Sequence, residues 1–493
     1  MKTNIIPEPQ HTEIKSESAV FTLTRLAEIS ADGKSERALR SFCAFCEKAF
    51  ELSFLGTGKE SVTLCVNNSV TEKEGYRLTV RENSVLVEGA DERGVFWGVQ
   101  SLCALLFQND CNLCALTIYD YPKTENRAFM LDCASWFFTP EAVKLFLDAM
   151  ALNKLNVFHW KLSGDCGFRL ELFENYLLSQ IGGFRAYTGL GKIPHGGYYS
   201  REDTLEILKY AEERFITVIP EIDVPDKVTA VVAAYPFLSC DEKEVSPATS
   251  FADTETVLCL GKESTYSFML SVLEEMREVF PGSYIHLGGE RSKKRERSLC
   301  PHCEEKRLSL PEQSEDALYS FFFERLLQDT QRLGLKAIVR ADGFSLPQGI
   351  IADCRTEQEA KTAEEKGLSF LDSSLDLSKP YGILGVEDCY EHGFKKGKPL
   401  FSEAVLPTMN VPGMKKAGVL LFPRLGAFSE SVWTNDEEKS FPRFLEKLED
   451  YRRALRFLPF DCAKKSTAFP GAAKKLGGRL RNRLLHTRFT KNS

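Results

Sequence analysis

The stretch that decides the fold is Ser264-Thr-Tyr-Ser-Phe-Met-Leu-Ser-Val-Leu-Glu-Glu-Met-Arg-Glu-Val279, followed by Tyr284-Ile-His-Leu-Gly-Gly-Glu290. The first part reads as a helix. The second is a short, near-continuous apolar run that ends in an acid, the pattern of a strand buried on both faces. Outward from this pair the rhythm repeats. Strands are predicted at Phe129–Asp132, Val157–Leu162, Thr217–Asp223, Ala337–Asp342, Leu368–Leu371, Ile383–Val386 and Pro399–Glu403. Helices are predicted at Pro140–Leu152, Ser200–Arg214 and Asp316–Leu333. Eight strand–helix units from residue 123 to 460 imply an α/β chain folded as a (β/α)8 TIM barrel. A doubly wound sheet is the alternative, but its glycine-rich phosphate loop after the first strand is missing. Several runs end in acids: Asp132, Asp165, Glu221 with Asp223, Glu290, Asp342 and Glu403. Catalytic groups of barrels gather at such strand ends, so an acid-lined mouth is expected there.

Residues 1–122 read differently. Ser61–Val66 and Tyr76–Val80 alternate with period two, Ser84–Glu88 follows a short turn, and Arg93–Phe107 has helical spacing. This is a small α+β domain, closed by the turn-rich Asp120-Tyr-Pro-Lys-Thr-Glu125. Residues 461–493 form a basic tail, with nine Lys and Arg and no acid from Ala463 onward, against a net charge of −7 for the whole chain. Such a tail either binds polyanions or is a solvated terminus, and the second reading is preferred, with no nucleic acid expected.

At 493 residues, 43% hydrophobic and 27% charged, the composition is that of a globular protein. No secretory leader and no membrane span are seen in the sequence, so a cytoplasmic location is expected. Fifteen cysteines without a leader read as reduced thiols. Cys43/Cys46, Cys111/Cys114 and Cys300/Cys303 are Cys-x-x-Cys pairs, but no two are neighbours in sequence, and zinc usually takes four ligands. Cys300-Pro-His302-Cys303 is read as a helix start, and neither a metal nor a cofactor is expected. The oligomeric state is not legible.

The motif His286-Leu-Gly-Gly-Glu290-Arg291 carries one carboxylate where division of labour between an orienting group and a general acid wants two. Its second acidic position holds an arginine, which stays protonated and cannot act as a general acid. This chain resembles glycoside hydrolase family 20, the β-N-acetylhexosaminidases. The resemblance rests on Ile5-Ile-Pro-Glu-Pro9, Met130-Leu-Asp132, Leu152-Asn-Lys-Leu-Asn-Val-Phe-His-Trp160, Gly197-Tyr-Tyr-Ser-Arg-Glu-Asp203, Ile216-Thr-Val-Ile-Pro-Glu-Ile-Asp-Val-Pro225, Leu421-Phe-Pro-Arg-Leu425 and Trp433-Thr434. It implies substrate-assisted hydrolysis of terminal N-acetylhexosamines, in which the substrate's acetamido oxygen attacks the anomeric carbon. By resemblance Glu290 stands where an aspartate holds that acetamido group, and Arg291 stands at the general acid; a register shifted by one deleted residue puts Glu290 at the acid position as the catalytic residue, with nothing at the aspartate position.

Other positions depart from the family pattern too. Ser135 replaces a sugar-binding arginine, Lys161 a histidine, and Gly164-Asp165-Cys166 an Asp-Asp-Gln run. Asp226-Lys227 replaces Gly-His, Arg340-Ala341-Asp342 replaces Trp-Asp-Glu, and Phe401 replaces a tryptophan two residues before the retained Glu403. Tyr390 matches the family's acetamido-contacting tyrosine. A carbohydrate is the expected partner, and hydrolysis is expected to be weak, altered or lost. Lys161, Lys227, Arg291 and Arg340 add cations, which either bind an anionic sugar or neutralise the resident acids. A non-catalytic sugar-binding or partner-binding barrel is the remaining alternative.

Overall fold

The computed structural model describes residues 1–188, 191, 193–250, 256–292, 297–393 and 397–470. In the amino-terminal part, alternating strands build a six-stranded sheet ordered β1-β6-β4-β5-β3-β2. The strands are β1 (His11–Thr22), β2 (Glu28–Ala31), β3 (Ser61–Val66), β4 (Tyr76–Arg81), β5 (Ser84–Gly89) and β6 (Asn112–Asp120). Helices α1 (Glu36–Phe50) and α2 (Glu92–Gln108) supply Phe42, Phe96 and Leu102 to the core under this sheet. The Asp91 side chain caps α2 by accepting from the Gly94 amide. The expected β3, β4, β5 and α2 are present; β1, β2, β6 and α1 are further elements, and Ala38, Phe42 and Cys46 of α1 bury one face at helical spacing.

The remainder closes into an eight-stranded parallel barrel whose strands follow chain order. They are β7 (Arg127–Asp132), β8 (Val157–Lys161), β9 (Thr217–Val224), β10 (Tyr284–Gly288), β11 (Lys336–Arg340), β12 (Ile351–Cys354), β13 (Phe370–Asp376) and β14 (Phe401–Leu406). One predicted strand is corrected. Ile383–Val386 leads into the short helix Val386–Tyr390, and the sixth strand is β12. β12 is four residues long with Asp353 inside it, too short and too polar to show as an apolar run.

Period two sorts the barrel interior into tiers. Ala128, Val157, Ile219, Ile338, Ile351, Leu371 and Phe401 plug the bottom. Two residues further along their strands stand His159, Glu221, Asp353, Ser373 and Glu403, joined by His286 of β10. Two further still come Lys161, Asp223 and Arg355, at the mouth.

The two parts meet along a seam of buried ion pairs. Arg127 at the start of β7 donates to Glu74 at 2.6 Å, and Lys154 donates to Asp120 at 2.8 Å. The Lys154 ammonium also lies 4.4 Å from the Trp433 ring centre. Among the described residues no helix is long and apolar enough to cross a membrane. Most of the basic tail, from residue 471, lies outside the described residues.

Candidate active site

The middle tier is a fixed proton network. His159 Nδ1 lies 3.0 Å from Glu403 and its Nε2 2.9 Å from Glu221, all three fully buried. Burial works against the charged imidazole, but the two carboxylates outweigh it and push His159 up to about 10. His286 is different. Its Nδ1 accepts from the Gly288 amide and its Nε2 faces Asp353, each at 3.0 Å. Burial therefore holds its pKa below the usual value, and the ring is neutral with its proton on Nε2.

Above this lies the mouth. Lys161 bridges Glu221 at 2.6 Å and Asp223 at 2.7 Å. Burial, with Glu221 and Glu290 nearby, pushes Asp223 up to about 7 against the pull of Lys161. Its Oδ1 is buried without a hydrogen-bond partner. Glu290 is 37% exposed and pairs with Arg355 at 3.1 Å. Burial would raise its pKa, yet Arg355, then Arg340, Lys161 and Lys227 together hold it below the usual carboxylate value. Glu290 is thus an anion at neutral pH, the wrong state for a proton donor.

Arg291 turns away from the mouth. Its guanidinium pairs with Asp316 at 2.7 Å and lies over Tyr319, and only its backbone amide bonds to Asp342. Two glycines make this bend possible. Gly288 and Gly289 have φ of +68° and +100°. A Cβ on Gly288 would strike the Asp223 carboxylate, and one on Gly289 would stand 2.8 Å from Val339.

Lys161, Asp223, Glu290 and Arg340 thus converge, with Lys227 close enough to act on Glu290 and Asp342 joined through the Arg291 amide. Arg340 is held by Asp353 at 2.9 Å and by Ser373. Ser135 lies beyond β7, where its carbonyl accepts from the buried Arg185 at 2.6 Å. Asp165 is buried under Thr229, accepting from its hydroxyl and amide. Glu403 sits one tier below the mouth.

Two expected site residues lie elsewhere. Phe401 is the first residue of β14, so it faces the barrel bottom, edge-on to Tyr284 at 5.3 Å. Tyr390 packs outside the barrel against Phe441 and Phe444. The short helix Val386–Tyr390 that carries it packs chiefly on the helix Arg424–Trp433. Arg355 and Asp353 escaped the sequence reading because their strand did. His159 and Glu221 lay inside recognised strands, and stepping by two from Val157 and Ile219 would have put both inside the barrel.

In comparison with known families, residues 125–376 match the catalytic domain of glycosyl hydrolase family 20, and residues 2–121 match domain 2 of that family. The chain belongs to glycosyl hydrolase family 20. The β-hexosaminidase of Porphyromonas gingivalis is 29% identical over 77% of this chain and 53% of its own length. The β-hexosaminidase of Akkermansia muciniphila is 25% identical over 92% and 90%. This chain spans about half the length of the first two curated relatives it matches, 53% and 48%. Among solved structures, the β-N-acetylhexosaminidase of Bacteroides fragilis superposes with a TM-score of 0.79 at 26% identity, over 93% of this chain and 96% of that one. The Vibrio harveyi exo-β-N-acetylglucosaminidase, solved with N-acetylglucosamine, gives 0.83 at 23% identity over 93% and 78%, a likeness of fold alone.

Proposed function

We propose that residues 123–460 form a family 20 barrel that takes a terminal N-acetylhexosamine at its mouth and hydrolyses it weakly or not at all, with residues 1–122 as its accessory domain. One observation carries this reading: Arg291, which the resemblance puts at the general-acid position, is turned out to Asp316 while Glu290 is ionised against Arg355. Loss of a general acid removes about two to four decades of rate. The scaffold supports sugar binding, because the glycine bend, the exposed Glu290 and the fold of a relative that holds N-acetylglucosamine are all retained.

The neutral sugar is favoured over an anionic one. Of the four added cations, Lys161, Arg291 and Arg340 are each committed to a carboxylate and Lys227 acts on Glu290, while Arg355 pairs with Glu290, so an incoming phosphate or sulfate would have to compete with those carboxylates. A melting screen tests this. N-acetylglucosamine is expected to raise the Tm, and its 6-phosphate to raise it no further. No shift with any amino sugar would refute binding at this mouth.

A further inference from the structure

Away from the mouth, the fold assembles a cluster that the sugar chemistry does not use. Cys240 lies in the loop after β9, and Cys259 in the approach to the helix Glu263–Val279. Cys300 caps the helix Pro301–Ser309, and Cys303 lies in its first turn. The Cys259 sulfur lies 3.6 Å from that of Cys300 and 3.7 Å from that of Cys303, which in turn lies 3.8 Å from that of Cys240. All four sulfurs fall within 4.8 Å of one another. We propose that Cys240, Cys259, Cys300 and Cys303 bind one zinc ion as a four-thiolate site.

The spacing carries the assignment. A zinc–sulfur bond is about 2.3 Å, so the edge of a regular sulfur tetrahedron around zinc is about 3.8 Å. The three sulfur–sulfur separations of 3.6, 3.7 and 3.8 Å sit at that edge. Disulfides would instead join the cysteines two by two at about 2.05 Å. Cys259 has two equally near neighbours, which suits a shared centre and not a pair. Four soft thiolates and no oxygen or imidazole donor select zinc from the common divalent ions. His302 between the two helix cysteines is exposed and is not one of the donors.

The surrounding backbone is built for close approach. Cys259 N–H donates to the Leu238 carbonyl at 2.8 Å, and Thr265 donates to the Cys259 carbonyl at 2.7 Å. Gly261 packs so tightly on the second loop that a Cβ there would strike the His302 carbonyl. Lys262 is held over the Phe237 and Ser239 carbonyls at 3.0 Å, beside the negative charge that four thiolates leave after binding a divalent ion.

The expectation of no metal came from counting donors along the chain, where Cys300 and Cys303 stand as a lone pair. Their partners lie 41 and 63 residues upstream and are delivered by a different loop. Those two loops also carry Lys227 and Glu290. Arg297 ties them together as well, pairing with Asp226 at 2.6 Å and donating to the Leu258 carbonyl at 3.1 Å. A zinc clip there holds the mouth loops in register, a structural role that does not depend on what the mouth binds.

The full chain, purified without chelator and passed over a desalting column, tests this. Elemental analysis should find one zinc per chain, and zinc-edge X-ray absorption should show a sulfur-only shell at about 2.3 Å. Cys300→Ser and Cys303→Ser should lose that zinc, whereas Cys65→Ser in the small domain should keep it. Alkylation and mass spectrometry of the wild type should find the four thiols protected until zinc is removed, and free afterwards. Disulfides among the four, a shell containing nitrogen or oxygen, or reduced wild type that takes up no zinc on reconstitution would each overturn the proposal. The wild-type measurements stand even if the serine variants fail to fold.

Discussion

Replacing Lys161 by Met keeps the aliphatic stem and removes the ammonium that bridges Glu221 at 2.6 Å and Asp223 at 2.7 Å. Both acids are buried, so each loses its nearest counter-charge. Breaking a buried pair this way costs about 3–5 kcal/mol. At about 2 °C per kcal/mol for a chain of this size, the Tm should fall by roughly 6–10 °C. The loss should depend on pH in a definite direction. Asp223 already sits up at about 7 with Lys161 present, and without it the pKa moves higher. A carboxyl raised above its unfolded value contributes stability that is full below the unfolded pKa and lost as pH rises through the folded one. Between about 7 and its new pKa, the variant holds a proton that the wild type has released. Each pH unit of that window changes the deficit by about 1.4 kcal/mol. Urea melts at pH 6 and pH 9 should therefore show a larger deficit at pH 9, by about 2–3 kcal/mol if the pKa rises by about two units. A deficit equal at both pH values would refute the claim that Lys161 holds the Asp223 pKa down.

Further consequences are open to measurement. His159→Gln removes the cation between Glu221 and Glu403 and should destabilise by about 3–5 kcal/mol near neutral pH, read by denaturant melts; a change under about 1 kcal/mol would mean that the ring is neutral. Gly289→Ala imposes a Cβ at φ +100° against Val339, so it should lower the Tm and weaken N-acetylglucosamine binding together; unchanged binding would separate the bend from the site. Arg355→Gln removes the strongest of the charges that depress Glu290, and carboxyl NMR titration should find the Glu290 pKa higher than in the wild type; an unmoved value would refute that pairing. Arg127→Met removes the nearer of the two arginines that pair with the buried Glu74, leaving Arg93 at 3.3 Å, and should cost about 2–4 kcal/mol, seen as cooperative unfolding at lower urea; a neutral outcome would show that the seam does not need the pair.

The barrel was legible because buried parallel strands are near-continuous apolar runs, and Thr217–Asp223 and Tyr284–Glu290 advertise themselves in that way. The same rule failed at Ile351–Cys354, where an inward Asp353 breaks the run, and it misassigned Ile383–Val386, whose apolar character serves helix packing. Sequence showed that the second acid of the motif had become Arg291, but not which way that side chain turns. Direction depends on Asp316 and Tyr319 from a helix that only the fold brings alongside. Phe401 was a site candidate because the resemblance has a tryptophan there, yet it stands two residues before Glu403, one full tier, and the difference separates the bottom of the barrel from its polar middle. The cysteine cluster was invisible for a simpler reason, since its halves lie on different loops.

The central claim is that this family 20 barrel keeps its sugar site and lacks a working proton donor. Initial rates with a fluorogenic β-N-acetylglucosaminide, measured beside the Porphyromonas gingivalis β-hexosaminidase across pH 5–8, test it most directly. The account predicts kcat/KM at least about two decades below that relative. A wild-type rate matching the relative, and abolished by Glu290→Gln, would contradict it.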